Sequence, residues 1–132
     1  MKECRTMARN KYRAKRTTID GMTFDSKAES RRYKQLKLLE RVGDIEHLEC
    51  QPRYVLEEGF KNTGLDGKAR KIQPIAYIAD FKYYDKQRGV WIVEDVKGKR
   101  TEVYRIKRKL FLKRYVANDP TLFFVELHTS DF

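Results

Sequence analysis

The chain is poor in the residues that staple or clip small proteins together. Its 132 residues include two cysteines, Cys4 and Cys50, and two histidines, His47 and His128. Two cysteines are too few for a disulfide framework, which points to a reducing, cytosolic setting. His47 and Cys50 have only His128 and Cys4 to complete a zinc site, and none of them stands at finger-like spacing. No apolar run approaches the roughly 20 residues that span a bilayer, so no membrane partner is expected. The basic N-terminus also lacks the apolar stretch of a secretory signal. Acidic charge is scarce too: 19 Asp and Glu stand against 30 Lys and Arg, a net charge of +11 and a pI near 9.7. On a chain with room for one domain and one core, that excess points to a polyanionic partner. A hydrophobic content of 40% is too high for a disordered chain.

Most of what is present reads as ordered elements behind a basic arm. Residues 1–18 carry Lys2, Arg5, Arg9, Lys11, Arg13, Lys15 and Arg16 against Glu3 alone, an arm suited to phosphate. Residues 19–132 read as a single domain. Ile19-Asp20-Gly21-Met22 is a tight turn. Ser26 and Glu29 form a capping box, opening a helix whose buried stripe is Ala28, Arg32, Leu36, Leu39 and Val42 and whose stop is Gly43. Period-two alternation predicts a strand over 45–56, at an edge or bulged at Pro52. Residues 59–70 hold three glycines and read as a flexible connection. Strands follow over 72–84 and 90–97, separated by a turn at 85–89. Lys99 and Arg100 precede a helix over 101–116, with Val103, Ile106 and Leu110 as its apolar face, flanked by Tyr104, Phe111 and Tyr115. Arg105, Arg108, Lys109 and Lys113 form its basic face, whereas Lys107 and Arg114 fall in the apolar arc. Lys107 either reaches a phosphate or runs along the core edge. Leu122 to Leu127 is a last strand. The order helix, three strands, helix, strand predicts a small α/β sheet flanked by helices.

Strand parity gathers the chemistry. Asp95 and Lys97 share one face of their strand, while Glu94 points to the other with Ile92 and Val96. A hairpin through 85–89 brings Asp80 beside Asp95. Acids are disfavoured in strands, yet these two interrupt apolar runs. Two close carboxylates repel unless a cation lies between them, and Mg²⁺ or Mn²⁺ meets that need with oxygen ligands. Such an ion makes phosphodiester hydrolysis feasible, with Lys97 either orienting the attacking water or stabilising transition-state charge. Glu29 is either a further carboxylate for that ion or only the capping-box acid. Gln51 is a candidate polar neighbour of the site or a surface residue.

The string Tyr77-Ile78-Ala79-Asp80-Phe81, a hairpin, then Val93-Glu94-Asp95-Val96-Lys97-Gly98 resembles the PD-(D/E)XK motif of the restriction-endonuclease-like superfamily. Ala79 stands where that motif has proline. The resemblance spans residues 24–127 and implies an αβββαβ core with a mixed sheet flanked by helices. It further implies an endonuclease with Glu29, Asp80, Asp95 and Lys97 as catalytic residues, the three acids holding Mg²⁺ or Mn²⁺. Within the superfamily the chain is most similar to phage Holliday junction resolvases, which begin with a similar Ser-x-x-Glu helix. That implies paired nicks in four-way DNA junctions, a homodimer, and a phage or prophage gene expressed in the bacterial cytoplasm. A related nickase or a DNA-end or flap endonuclease is the alternative within the fold. A non-catalytic nucleic-acid binder that keeps the fold is the alternative from another functional class. The DNA contacts expected are Arg9, Lys11, Arg13, Lys15, Arg16, Lys99, Arg100, Arg105, Lys107, Arg108 and Lys109.

Overall fold

The computed structural model describes residues 16–132, so Arg9, Lys11, Arg13 and Lys15 of the expected arm lie outside the described residues. The domain starts earlier than expected, because Thr17–Ile19 (β1) pairs antiparallel with Met22–Phe24 (β2). The two-residue loop between them is Asp20-Gly21, both at positive φ (53° and 75°). That is the geometry that matches the twist of a tight hairpin and that Asp-Gly adopts at low cost.

Helix α1 (Lys27–Arg41) begins where its cap requires. Ser26 is extended, and its hydroxyl accepts from the Glu29 amide at 3.1 Å. Gly43, at φ 87°, ends the helix. Its buried residues are Ala28, Ser30, Tyr33 and Leu36. The expected stripe is corrected at its far end, where Val42 is 61% exposed. Val42 is the C-cap residue, beyond the last helical turn.

The predicted strand over 45–56 breaks in two, β3 (Ile45–Cys50) and β4 (Arg53–Glu57). Gln51 takes a positive φ of 53° and Pro52 cannot donate to a ladder, so the pairing changes partner at that point. The expected strand over 72–84 breaks opposite, into β6 (Ala69–Ile72), β7 (Ile75–Ile78) and β8 (Phe81–Asp85). Three backbone hydrogen bonds stitch the double break. Gln51 N donates to Asp80 O (2.8 Å), Ala79 N to Pro52 O (3.1 Å) and Asp80 N to Glu94 O (3.0 Å). β4 then pairs with β7. The expected flexible connection is instead an antiparallel hairpin of β5 (Phe60–Thr63) and β6.

The main sheet runs β10–β9–β8–β3, with β9 (Val90–Lys97) and β10 (Leu122–His128) parallel and the other neighbours antiparallel. The parallel pair is joined through α2 (Glu102–Phe111), capped by Thr101, and a wider π turn over Leu112–Val116. Alternation along β9 feeds two cores on opposite faces. Ile92 joins Phe24, Tyr33, Leu36, Leu48, Phe81 and Tyr83 beside α1, whereas Val93 joins Leu56, Tyr77, Ala79, Tyr104, Phe111 and Leu122 beside α2. The result is a mixed α/β fold with helices on its sheet. Cys50 is a buried member of the first core.

Helix α2 is turned relative to expectation. Tyr104 and Phe111 are its buried residues, while Val103 and Ile106 are 61% exposed and Leu110 is 41% exposed. Tyr104 OH donates to Glu126 Oε1 (2.5 Å), Tyr115 OH to Val55 O (2.6 Å) and the Arg114 guanidinium to Leu56 O. Each of these polar tips has a partner in the observed orientation, and aromatic packing of Phe111 with Tyr54, Tyr77 and Phe124 accompanies it.

Candidate active site

The double strand break, the start of α1 and the end of β9 meet at one place. Asp80 stands at the break, between β7 and β8, and its Oδ2 accepts from the Val96 amide at 2.7 Å. Register pairs Phe81 with Glu94, which sets Asp80 next to Asp95 on the neighbouring strand. Asp95 is 1% exposed. Its Oδ2 accepts from the Tyr77 hydroxyl, and its Oδ1 faces Lys97 Nζ at 3.2 Å. That ammonium also lies over the Tyr104 ring, 4.3 Å from its centre.

The adjacent acid has a separate cage. Glu94 is 1% exposed and is gripped by Arg32 of α1 through Nε (2.7 Å) and Nη2 (2.6 Å), with the Tyr83 hydroxyl donating as a third partner. Glu94 and Asp95 therefore face opposite sides of the sheet, as parity requires. Arg32, expected as a buried-stripe residue of α1, is half-buried because it serves this pair.

The acids and Lys97 act on one another electrostatically. Burial raises the Asp80 carboxyl well above its ordinary range, and repulsion from Glu29 and Asp95 adds to this; Lys97 and the Val96 amide only partly offset it. Burial likewise raises Asp95 against the lowering influence of Lys97, Tyr77 and Asp80. Glu29, in the first turn of α1, is raised to about 7, first by burial and then by Asp25 and Asp95. Asp25 is itself raised by burial, against the pull of Arg16, which lies 3.6 Å from it. Burial opposes the charge on Lys97, but Asp95, Asp80 and Glu29 prevail and hold the ammonium above its usual range.

Whether these residues suit a divalent cation follows from their chemistry. All are hard oxygen donors, and their mutual repulsion is the condition a cation relieves. Asp95 Oδ1 is buried without an aligned hydrogen bond and faces the Lys97 ammonium. Among the described residues, however, no three carboxylate, imidazole or thiol groups are already spaced to enclose an ion. The donor set fits in its chemistry, not in its present spacing. Asp25, Tyr77 and Tyr104 are additions to the expected set.

The expected DNA contacts divide. Arg105 and Lys109 are exposed on α2, Lys99 is exposed before it, and Lys107 is half-buried. Arg100 pairs with Glu126 through Nε at 2.8 Å, and Arg108 Nε lies 3.6 Å from the same carboxylate. With Arg16 on Asp25, three of the proposed phosphate ligands are engaged within the protein. Gln51 is half-buried beside the site, touching it through its backbone. Among the described residues no helix is long and apolar enough to cross a membrane.

The chain belongs to the family described as a protein of unknown function (DUF1064), whose model matches residues 9–126. No curated protein and no solved structure matches it.

Proposed function

We propose that this member of the DUF1064 family is a metal-dependent DNA endonuclease with a restriction-endonuclease-like αβββαβ core. The observation that carries this reading is the meeting of Glu29, Asp80, Asp95 and Lys97 where α1, the strand break and β9 converge. Gathering three carboxylates, one of them fully buried and two half-buried, with one ammonium is costly for stability alone. It is intelligible where the acids have a cation to hold and the lysine has an anion to meet.

In this reading Asp80, Asp95 and Glu29 hold Mg²⁺ or Mn²⁺. The bound ion supplies polarisation of the scissile phosphate and an acidified water. Lys97, paired with Asp95, places positive charge where the phosphate gains negative charge, a stabilising role. Tyr77 fixes the rotamer of Asp95, and the Val96 amide fixes Asp80. Exposed cations on α2 meet the DNA backbone. Four-way junctions are the substrate most in keeping with the sequence, cut in pairs by a homodimer.

The test is a panel of labelled junction, flap, nicked and linear duplex DNA, with Mg²⁺ or EDTA. Symmetrical Mg²⁺-dependent nicks in the junction are expected. Asp95→Asn should lower cleavage by about 10²–10³-fold, on the scale of removing a transition-state electrostatic contact, while DNA binding persists. Cleavage confined to flaps or nicked duplex would move the substrate to the related nickases. A wild-type protein that binds every DNA and cuts none would make it a non-catalytic binder.

A further inference from the structure

The hairpin of β5 and β6 has no evident role in the core. All eight of its strand residues are exposed, and two-stranded ribbons without such a face are marginal in water. Its tip is nevertheless well built. Gly64 N donates to Lys68 O and Gly67 N to Gly64 O, both at 3.0 Å, and Gly67 takes φ 80°. Asp66 Oδ1 accepts from the Lys68 amide (3.0 Å) and from Arg70 Nη1 (3.1 Å). This braced turn holds Leu65 wholly in solvent, at 108% exposure.

The charges on the ribbon are as unusual as its exposure. Residues 60–72 carry Lys61, Lys68, Arg70 and Lys71 against Asp66. Lys61 and Lys71 are direct cross-strand partners. Like charges placed opposite one another destabilise a ladder, so this pair weakens the hairpin unless an anion comes between its members. A protruding two-stranded ribbon also has the width of a duplex major groove, about 12 Å.

We infer that the β5–β6 ribbon is a DNA-binding finger that enters a groove of duplex DNA. Lys61 and Lys71 straddle the phosphates, and Leu65 makes an apolar contact at the tip. The chain from Ile72 to Asp80 covers at most ~27 Å at strand rise, so the finger's root lies within one helical turn of the site that would cut. The inference rests on the nuclease reading only for the identity of the nucleic acid.

Binding of labelled duplex and junction DNA is measured in EDTA over a salt series, so that no cleavage enters the readout. The double variant Lys61→Ala/Lys71→Ala should weaken binding on the order of tenfold at moderate salt. It should also reduce the log Kd against log salt slope by about 2, one unit per lost phosphate contact. Leu65→Ala should weaken binding and leave the slope unchanged. All these positions are exposed, so equal melting temperatures verify the fold. Lys34→Ala/Lys86→Ala, which removes two exposed cations elsewhere, should change the slope less. An unchanged slope in the ribbon variant, an equal loss in the control variant, or no DNA binding by wild type would each overturn the finger. A wild type whose binding depends on the ribbon but which never cuts in Mg²⁺ would overturn the nuclease and leave the finger standing.

Discussion

Glu29, Asp80 and Asp95 act on a single ammonium, with Asp25 beside Glu29, and pH should reveal it. Burial and the neighbouring acids raise Glu29 from 4.5 to about 7. A carboxyl whose pKa is higher in the folded than in the unfolded state favours folding below its unfolded value and loses that advantage as pH rises through its folded value. In EDTA the wild-type protein should therefore lose stability between about pH 4.5 and 7, by at most about 3 kcal/mol from this group. Glu29→Gln should flatten that part of a melting-temperature profile. Mg²⁺ should restore more stability at pH 8 than at pH 5, and an equal effect at both would argue against carboxylate binding. Parity in β9 made Asp95 and Lys97 legible from sequence, and the turn at 85–89 made Asp80 legible. Tyr77 and Tyr104 were not, because a tyrosine among apolar residues looks like core until its hydroxyl is seen to reach an acid. Asp25 was hidden as a residue just ahead of a helix cap.

At the scale of the element, α2 shows how periodicity can mislead. Val103, Ile106 and Leu110 are the purest apolar positions of that helix, yet they face solvent while Tyr104 and Phe111 go inside. The competing signal lay in amphipathic side chains: Tyr104, Arg114 and Tyr115 each need a buried polar partner as well as apolar cover. Urea titration should separate the two faces. Phe111→Ala should cost about 3–5 kcal/mol, whereas Ile106→Ser should stay within about 0.5 kcal/mol of wild type. A large loss for Ile106→Ser would mean that another surface covers the stripe. Caps were readable because Ser26 and Thr101 announce themselves chemically. Gln51-Pro52 also announced an interruption, but nothing local showed that the partner chain would break opposite it. The ribbon was concealed by its glycines, since Gly64 and Gly67 signal a turn as readily as a loose connection.

Across the whole molecule, the Arg32–Glu94 pair ties α1 to the central strand on the face away from Asp95. Arg32→Met should leave Glu94 buried without its cation and cost about 3–5 kcal/mol. Adding Glu94→Gln should recover part of that loss, as a denaturation cycle would show. The two main helices and the α/β class were available from sequence; the β1–β2 and β5–β6 hairpins and the two separate cores were not, because alternation in β9 shows that faces differ without showing what covers each. There is a further consequence for how the chain finds its alignment. Two consecutive acids of equal charge invite a one-residue slip of β9, which charge alone would do little to oppose. The cages differ instead in reach and in partners: a bidentate guanidinium with Tyr83 for the longer side chain, a single ammonium with Tyr77 for the shorter. They act as two unlike keys cut for one strand, so that misalignment fails both locks together. Exchanging the acids, Glu94→Asp with Asp95→Glu, keeps composition and charge yet should destabilise the fold more than either cage's loss of one methylene would suggest.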